Sequence, residues 1–251
     1  GNMENFEYSR KIFESHFRDM NKIRRIKNPK IMEIGPGDSL FSMIYSRKYS
    51  SEKFYFIDVD NFANKNIKLY DQLQEELEKE NFFSVKLKKD FKNFDDVLNF
   101  YNAKYLISGI ESLSKIKDNS IDYIFSHSVM EHVRKDELNI LIKEMYRILK
   151  PNGVISHNIN YKDHLGESLN NLRFSEKIWE SDFFAKSGFY TNRITAKKMH
   201  NNFKKIGFNL VKENFGRWDS LPIKKNSLSK EFRNLSEDEL MIPTSRFLAI
   251  K

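Results

Sequence analysis

Residues 31–60 read IMEIGPGDSL FSMIYSRKYS SEKFYFIDVD. A short apolar run, Ile31, Met32 and Ile34, carries a carboxylate, Glu33, and runs into a glycine turn, Gly35-Pro36-Gly37. Asp38-Ser39 then opens an apolar helical stretch from Leu40 to Tyr45, and a second apolar run, Phe54 to Ile57, ends in Asp58. The pattern predicts a strand–turn–helix–strand unit of an α/β fold, with acids at both strand ends. Glycines let a ligand lie close against the backbone at a strand's C-terminal edge. A helix N-terminus behind them suits a carboxylate or phosphate. Asp58 stands where a carboxylate accepts hydrogen bonds from both ribose hydroxyls. An adenosine-type cofactor is the expected ligand.

A dinucleotide fingerprint requires G-x-G-x-x-G, and Leu40 stands in place of its third glycine. Glu33 lies two positions before the first glycine, where a pyrophosphate has no use for a negative charge but an amino-acid ammonium does. This E-x-G-x-G loop, followed by an acid after the next strand, resembles the cofactor loop of class I S-adenosylmethionine-dependent methyltransferases. An NAD(P)-binding unit and a plain strand–loop–helix remain the alternatives on this stretch alone.

The rest of the chain extends the resemblance. IDYIFSHSVMEHV, residues 121–133, reads as a buried strand and its loop. An amphipathic helix follows over 135–149, with Leu138, Leu141, Ile142, Met145 and Ile148 inward. Leu149-Lys150-Pro151-Asn152-Gly153 ends that helix and leads into a strand, Val154 to Ser156. This order is similar to the fourth and fifth sheet strands of the same superfamily. The resemblance implies a Rossmann-like, doubly wound seven-stranded sheet, mostly parallel, with a terminal antiparallel hairpin and helices on both faces. Asn209 to Phe215 and Arg246 to Ile250 are the expected hairpin strands.

The methyltransferase reading sets the cofactor contacts: Glu33, Gly35, Gly37, Ser39, Asp58, Val59, Gly109, Ile110, Glu111, Ser126 and His127. In it Ile110 stacks on adenine and Glu111 lies near the ring edge. The expected cofactor is S-adenosyl-L-methionine and its product S-adenosyl-L-homocysteine.

Composition narrows the chemistry. The chain has 251 residues and is 39% hydrophobic, enough for one α/β domain over residues 1–251. No cysteine is present, which excludes disulfides, thiolate metal sites and cysteine nucleophiles; no metal site is expected. Lys+Arg number 43 against 35 Asp+Glu, a net charge of +8 that favours anionic partners. The Lys86, Lys88, Lys89 and Lys92 cluster reads as solvated surface, since no stacking platform accompanies it. No nucleic-acid partner is expected. No apolar run is long enough to span a membrane and no signal pattern opens the chain, so the cytoplasm is the expected location. Gly1-Asn2 ahead of Met3 reads as an expression remnant.

Residues 4–27 read as an N-terminal helix and possible lid. Residues 61–103 read as a helical insertion, in which Phe82, Phe83, Val85 and Leu87 are a candidate extra strand. Residues 157–195, HNINYKDHLGESLNNLRFSEKIWESDFFAKSGFYTNRIT, are dense in polar and aromatic groups and are the expected acceptor pocket and its lid. His157 closes the predicted fifth strand, where open α/β sheets put their chemistry. It is the expected general base, with Asp163 or His164 orienting it or the acceptor. Candidate acceptor contacts are His132, Asn158, Asn170, Asn171, Arg173, Trp179, Tyr190 and Arg193.

The stretches GPGDSL, FIDVDNFA, ISGIESL, SHSVMEHV, SHNINYKDHLG, LNNLRFSEKIWES and SGFYTNRI resemble a bacterial class I methyltransferase family found with capsule and surface-polysaccharide biosynthesis. The resemblance implies O-methylation of a small acceptor: an activated sugar, a nucleotide-linked group or a capsule decoration of the O-methyl phosphoramidate type. Asn158 and Asn160 stand where that pattern has a basic and an acidic residue. The rival functions are an RNA or protein methyltransferase, a non-catalytic cofactor-binding subunit and an NAD(P) oxidoreductase. The oligomeric state is left open.

Overall fold

The computed structural model describes residues 2–83 and 91–251. The Val85 and Leu87 part of the expected extra strand, and Lys86, Lys88 and Lys89, lie outside the described residues. In chain order the elements are α1 (Phe6–Ile23), β1 (Lys30–Ile34), α2 (Ser42–Ser46), β2 (Lys53–Ile57), α3 (Ile67–Lys79), α4 (Phe94–Phe100), β3 (Ala103–Leu106) and α5 (Ile110–Ser114). They continue with β4 (Ile121–His127), α6 (Lys135–Ile148), β5 (Leu149–Asn160), α7 (Glu176–Trp179), α8 (Asp182–Ala185), α9 (Ala196–Ile206), β6 (Asn209–Phe215), α10 (Glu237–Leu240) and β7 (Thr244–Ile250). The strands form one seven-stranded sheet in the order β3-β2-β1-β4-β5-β7-β6. β1 runs parallel to β2 and to β4, and β2 parallel to β3, while β6 and β7 are antiparallel. This is the expected Rossmann-like architecture with its terminal hairpin. Among the described residues no helix is long and apolar enough to cross a membrane.

The chain divides into two compact units, Gly1–Ser126 with Arg147–Ser156 and Lys251, and His127–Tyr146 with His157–Ile250. In the first, β1 buries Ile31, Met32, Glu33 and Ile34 in succession, the pattern of a parallel strand covered on both faces. α1 is capped by Asn5, whose side chain accepts from the Tyr8 N–H at 2.9 Å. Its buried stripe Ile12, Phe13, His16, Phe17 and Met20 follows the helical period. Phe13 sits 6.1–6.3 Å from the rings of Tyr45, Phe54 and Phe125, an aromatic core under the helix.

The second unit has two apolar centres. Phe203 and Phe247 pack at 4.8 Å, with the His157 and His200 rings against them. Leu169, Leu172, Ile223, Leu228, Phe232 and Leu240 form the other.

Three elements differ from expectation. The helix after the glycine turn starts at Ser42 rather than at Asp38-Ser39 and is only five residues long. Lys150 to Gly153 lie inside β5 rather than in a turn before it; β5 starts at Leu149 and runs twelve residues to Asn160, with Asn152 at φ 59°. Residues 221–240 read in sequence as a polar connection with a short helix near Lys230 to Asn234; those residues are turns, and the short helix of that region is Glu237–Leu240.

Candidate active site

In the first unit the strand order brings three loops side by side at the C-terminal ends of β1, β2 and β3. They carry Gly35 to Ser39, Asp58 to Phe62 and Ile107 to Glu111. Ser126 is level with Ile34 on the neighbouring β4. The Gly35 N–H donates to the Ile57 carbonyl at 2.8 Å, and the Gly109 N–H to the Asp58 carbonyl at 2.8 Å, so the loops are tied to one another.

Gly37 has φ 73°, a left-handed value that a side chain disfavours, and a Cβ there would meet only Met3 Cγ at 3.9 Å. Gly109 has φ 53°, and a Cβ there would press on Val59 Cγ1 at 3.3 Å. The two glycines leave bare backbone at this edge.

Glu33 is 2% exposed. Ser42 hydrogen-bonds its carboxyl group, yet Oε2 has no partner. Burial first, and then the Asp58 charge, push its pKa up to about 8. An unpaired buried carboxylate is costly unless a cation meets it, so Glu33 fits an ammonium group. Burial also lifts the Asp58 carboxyl above its ordinary value, although the Val59 and Gly37 backbone N–H groups bond it. Val59, Phe62 and Ile107 are 74%, 57% and 42% exposed. Three apolar side chains at one strand edge suit a flat ring. Glu33, the glycine backbone, Asp58 and this apolar edge thus match the amino-acid tail, sugar and base of an aminoacyl-nucleoside cofactor. Ile110 is half-buried and Glu111 exposed in the first turn of α5. Ser39 is engaged elsewhere: its hydroxyl donates to the Met3 carbonyl at 2.6 Å.

The second unit holds the acceptor-side candidates and does not bring His157, Asp163 and His164 together. His157 is fully buried between Phe203 and Phe247, at 5.2 and 5.4 Å. Burial, aided by His200, lowers its pKa to about 3. The physical reason is the length of β5, which carries His157 inside a strand rather than at its end. Asp163 is also buried and serves its own loop, accepting from the backbone N–H groups of Leu165 and Asn170.

Trp179 is a core residue, not an exposed platform: it is fully buried and its Nε1 donates to the Thr191 carbonyl at 2.7 Å. Arg193 is a clasp. Its guanidinium donates to the Asn171 and Phe174 carbonyls and pairs with Glu176 and Glu180. The Tyr190 hydroxyl donates to Glu180 at 2.8 Å, and the Asn171 amide donates to Thr191 Oγ1 at 2.8 Å. Asn170 is half-buried. Arg173 is exposed and makes no ion pair with the described residues. The Asn158 amide lies 3.3 Å from the His127 ring. Burial first, then Arg246, lowers the His127 pKa to about 4 and keeps that imidazole neutral.

His132 and His164, 32 residues apart in sequence, do meet. Their rings stack 5.1 Å apart at 6°, with the Nε2 atoms 3.4 Å apart, and both residues are exposed. His132 Nδ1 lies 2.8 Å from the Tyr190 carbonyl. A carbonyl only accepts, so Nδ1 carries the proton and neutral His132 presents an unprotonated Nε2, an acceptor toward His164. Desolvation lowers the His132 pKa, the Tyr190 bond opposes it, and the His164 ring adds to the lowering.

Sequence reasoning missed what holds this loop. The Asn192 amide donates to the Met130 and Val133 carbonyls at 2.8 and 2.9 Å, and its backbone N–H to the Glu131 carbonyl at 2.7 Å. Glu131 is 2% exposed, and burial pushes its pKa up to about 8. Its Oε1 accepts from the Asn160 N–H at 3.1 Å and its Oε2 has no partner. No local pattern marks either residue, because their partners lie 29 to 62 residues away.

Comparison with known proteins agrees with this geometry. Residues 32–156 match the family model described as a methyltransferase domain. No curated protein matches the chain. A methyltransferase structure from Methanosarcina mazei, described as SAM-dependent, is 16% identical with a TM-score of 0.53, covering 90% of this chain and 93% of its own. A SAM-dependent methyltransferase from Archaeoglobus fulgidus is 18% identical, TM-score 0.50, covering 99% and 97%. The Haemonchus contortus phosphoethanolamine N-methyltransferase 2, in complex with S-adenosyl-L-methionine, is 14% identical, TM-score 0.50, covering 97% of this chain and 56% of its own. At such identities these likenesses bear on the fold, and the family match bears on the activity. Residues 32–156 are a methyltransferase domain, and the chain is an S-adenosylmethionine-dependent methyltransferase.

Proposed function

We propose that the chain methylates an oxygen of a small acceptor, a sugar or nucleotide-linked hydroxyl or a phosphoryl group of the kind that decorates capsules and surface polysaccharides. The resemblance of residues 31–195 to enzymes of that setting supports the acceptor class. The unprotonated Nε2 of exposed His132, its tautomer held by the Tyr190 carbonyl, supports oxygen chemistry. Nucleotide-linked acceptors also favour a cytoplasmic reaction.

The bound cofactor supplies an electrophilic methyl group on a sulfonium. Glu33 takes the ammonium of its amino-acid tail, and Asp58 the ribose hydroxyls. The backbone at Gly35 and Gly37 lets the nucleoside lie close, while Val59, Ile107 and Ile110 cover the base. On the acceptor side His132 takes the hydroxyl proton at Nε2, since a neutral imidazole is competent near pH 7. This role passes to His132 from His157, which is enclosed in the core. Arg173, exposed and without an ion-pair partner among the described residues, is the anion contact. An acceptor whose phosphoryl oxygen is already ionised needs no base. Segment 157–195 is assigned to acceptor binding through Asn158, Asn170, His164 and Arg173.

The experiment is a panel of nucleotide sugars, glycosyl phosphates and phosphoramidates, with an RNA oligonucleotide and a protein extract as further arms. Release of S-adenosylhomocysteine is the readout. Turnover with a small oxygen acceptor supports the reading. Turnover confined to RNA or protein rejects it.

A further inference from the structure

We infer that Asn192 is the positioning residue for His132: it fixes the main chain on either side of that histidine and, through its own segment, the tautomer of the ring. Residues 128–134, between β4 and α6, belong to neither element. Carbonyls in such a stretch need donors from elsewhere in the fold. Three of them, on Met130, Glu131 and Val133, bracket His132, and all three accept from Asn192. The side-chain Nδ2 donates to Met130 and Val133 at 2.8 and 2.9 Å, and the backbone N–H to Glu131 at 2.7 Å. The amide has one orientation. Its Oδ1 accepts from the Ile194 N–H at 3.1 Å, and a flipped amide would turn an oxygen toward two carbonyls. Asn192 is 1% exposed, and no other side chain as short offers two donors and an acceptor.

The ring is held from the same segment. His132 Nδ1 bonds the Tyr190 carbonyl at 2.8 Å, two residues before Asn192. In a neutral imidazole either nitrogen can carry the proton, and this bond selects Nδ1. The segment is itself firmly seated. Trp179 Nε1 donates to the Thr191 carbonyl at 2.7 Å and the Asn171 amide to Thr191 Oγ1 at 2.8 Å. The Arg193 guanidinium donates to the Asn171 and Phe174 carbonyls, and Arg193 keeps a left-handed φ of 58°. Such a backbone conformation persists only where its surroundings over-determine it. A site residue keeps its aim when a layer of packed and bonded side chains supports it. Here that layer runs from Trp179 through Thr191 and Asn192 to the loop of His132. The consequence for turnover rests on His132 as the base; the placement of the ring does not.

The test is NMR of the full chain with ¹⁵N-labelled histidine at pH 8, where ring-nitrogen shifts report which nitrogen carries the proton. Signals lost in H132Q identify His132. Wild type is expected to show the proton on Nδ1. N192D, the same shape without the two donors, is expected to move both ring nitrogens toward the averaged shifts of an exchanging tautomer. N192A should do the same without setting a carboxylate against two carbonyls, and remains the test should N192D unfold. T191V removes the neighbouring Asn171 bond and is the control: it lowers the melting temperature and leaves the His132 shifts in place. Thermal melting, and S-adenosylhomocysteine affinity within about twofold of wild type, check the fold of each variant. His132 shifts unchanged in the folded Asn192 variants overturn the inference, and so does an equal change in T191V. Against a working acceptor N192A should lose about tenfold in kcat. Wild-type turnover by H132Q would remove the base reading alone, since the tautomer is read without any acceptor.

Discussion

Replacing Glu33 by glutamine separates affinity from stability. The Glu33 pKa is pushed up to about 8 in the folded chain, against 4.5 as its ordinary value. At pH 7 about nine chains in ten then carry a proton on this carboxyl before cofactor binds. Pairing with an ammonium requires the charged form, so uptake at pH 7 releases close to one proton. A charge-assisted bond to an ionised group is worth about 1.5–3 kcal/mol, and the glutamine amide would offer only a neutral one. The variant should bind S-adenosylhomocysteine about 10–100-fold more weakly at pH 8.5. The gap should narrow about eightfold at pH 7, where wild type must first lose its proton. The stability effect has the opposite sign. A raised folded pKa stabilises fully below the unfolded value and is lost as pH rises through the folded value. Ligand-free E33Q should therefore exceed wild type at pH 8.5, by up to about 5 kcal/mol. Calorimetry in two buffers of different ionisation enthalpy reads the proton, and thermal melting reads the stability. Equal affinity of the two proteins at pH 8.5, together with buffer-independent heats, refutes the reasoning.

Three further outcomes follow from the same geometry. Asp58→Asn should weaken cofactor binding about tenfold by removing the charged ribose acceptor, with melting little changed; dialysis against labelled cofactor checks it. His132→Gln should lower kcat by about 100-fold once an acceptor is found, and remove the ascending limb of its pH profile. His157→Ala should destabilise the chain by about 2–4 kcal/mol through the cavity between Phe203 and Phe247, while turnover per folded molecule stays within about threefold of wild type. Urea unfolding and active-fraction kinetics decide between that and a catalytic role.

Much of the geometry of the candidate cofactor edge was legible in the sequence for local reasons. A left-handed φ at Gly35 and Gly37 demands glycine, and each parallel strand announces itself as a short apolar run. The carboxylates at the ends of those runs then fall on one edge by the topology alone. The terminal hairpin followed from the family resemblance rather than from local pattern, since β6 is exposed along almost its whole length. The acceptor half was not, for two reasons. A proline–asparagine–glycine run reads as a turn, yet residues 150–153 belong to β5. The strand also continues past Ser156, and those extra residues move His157 from a strand end into the core. The other reason is distance along the chain. Asn192 with Met130, Glu131 with Asn160, and His132 with His164 are pairs that no local period links. Arg193 and Trp179 looked like surface recognition groups because charge and aromaticity suggest it. Glu176 and the Thr191 carbonyl satisfy them inside the fold instead.

Equilibrium dialysis of the purified chain against S-adenosylmethionine carrying a labelled methyl group tests the central claim most directly. The account predicts one equivalent retained per chain, displaced by S-adenosylhomocysteine and untouched by NAD. Label that equilibrates freely across the membrane in the presence of folded protein, or that NAD displaces, contradicts it.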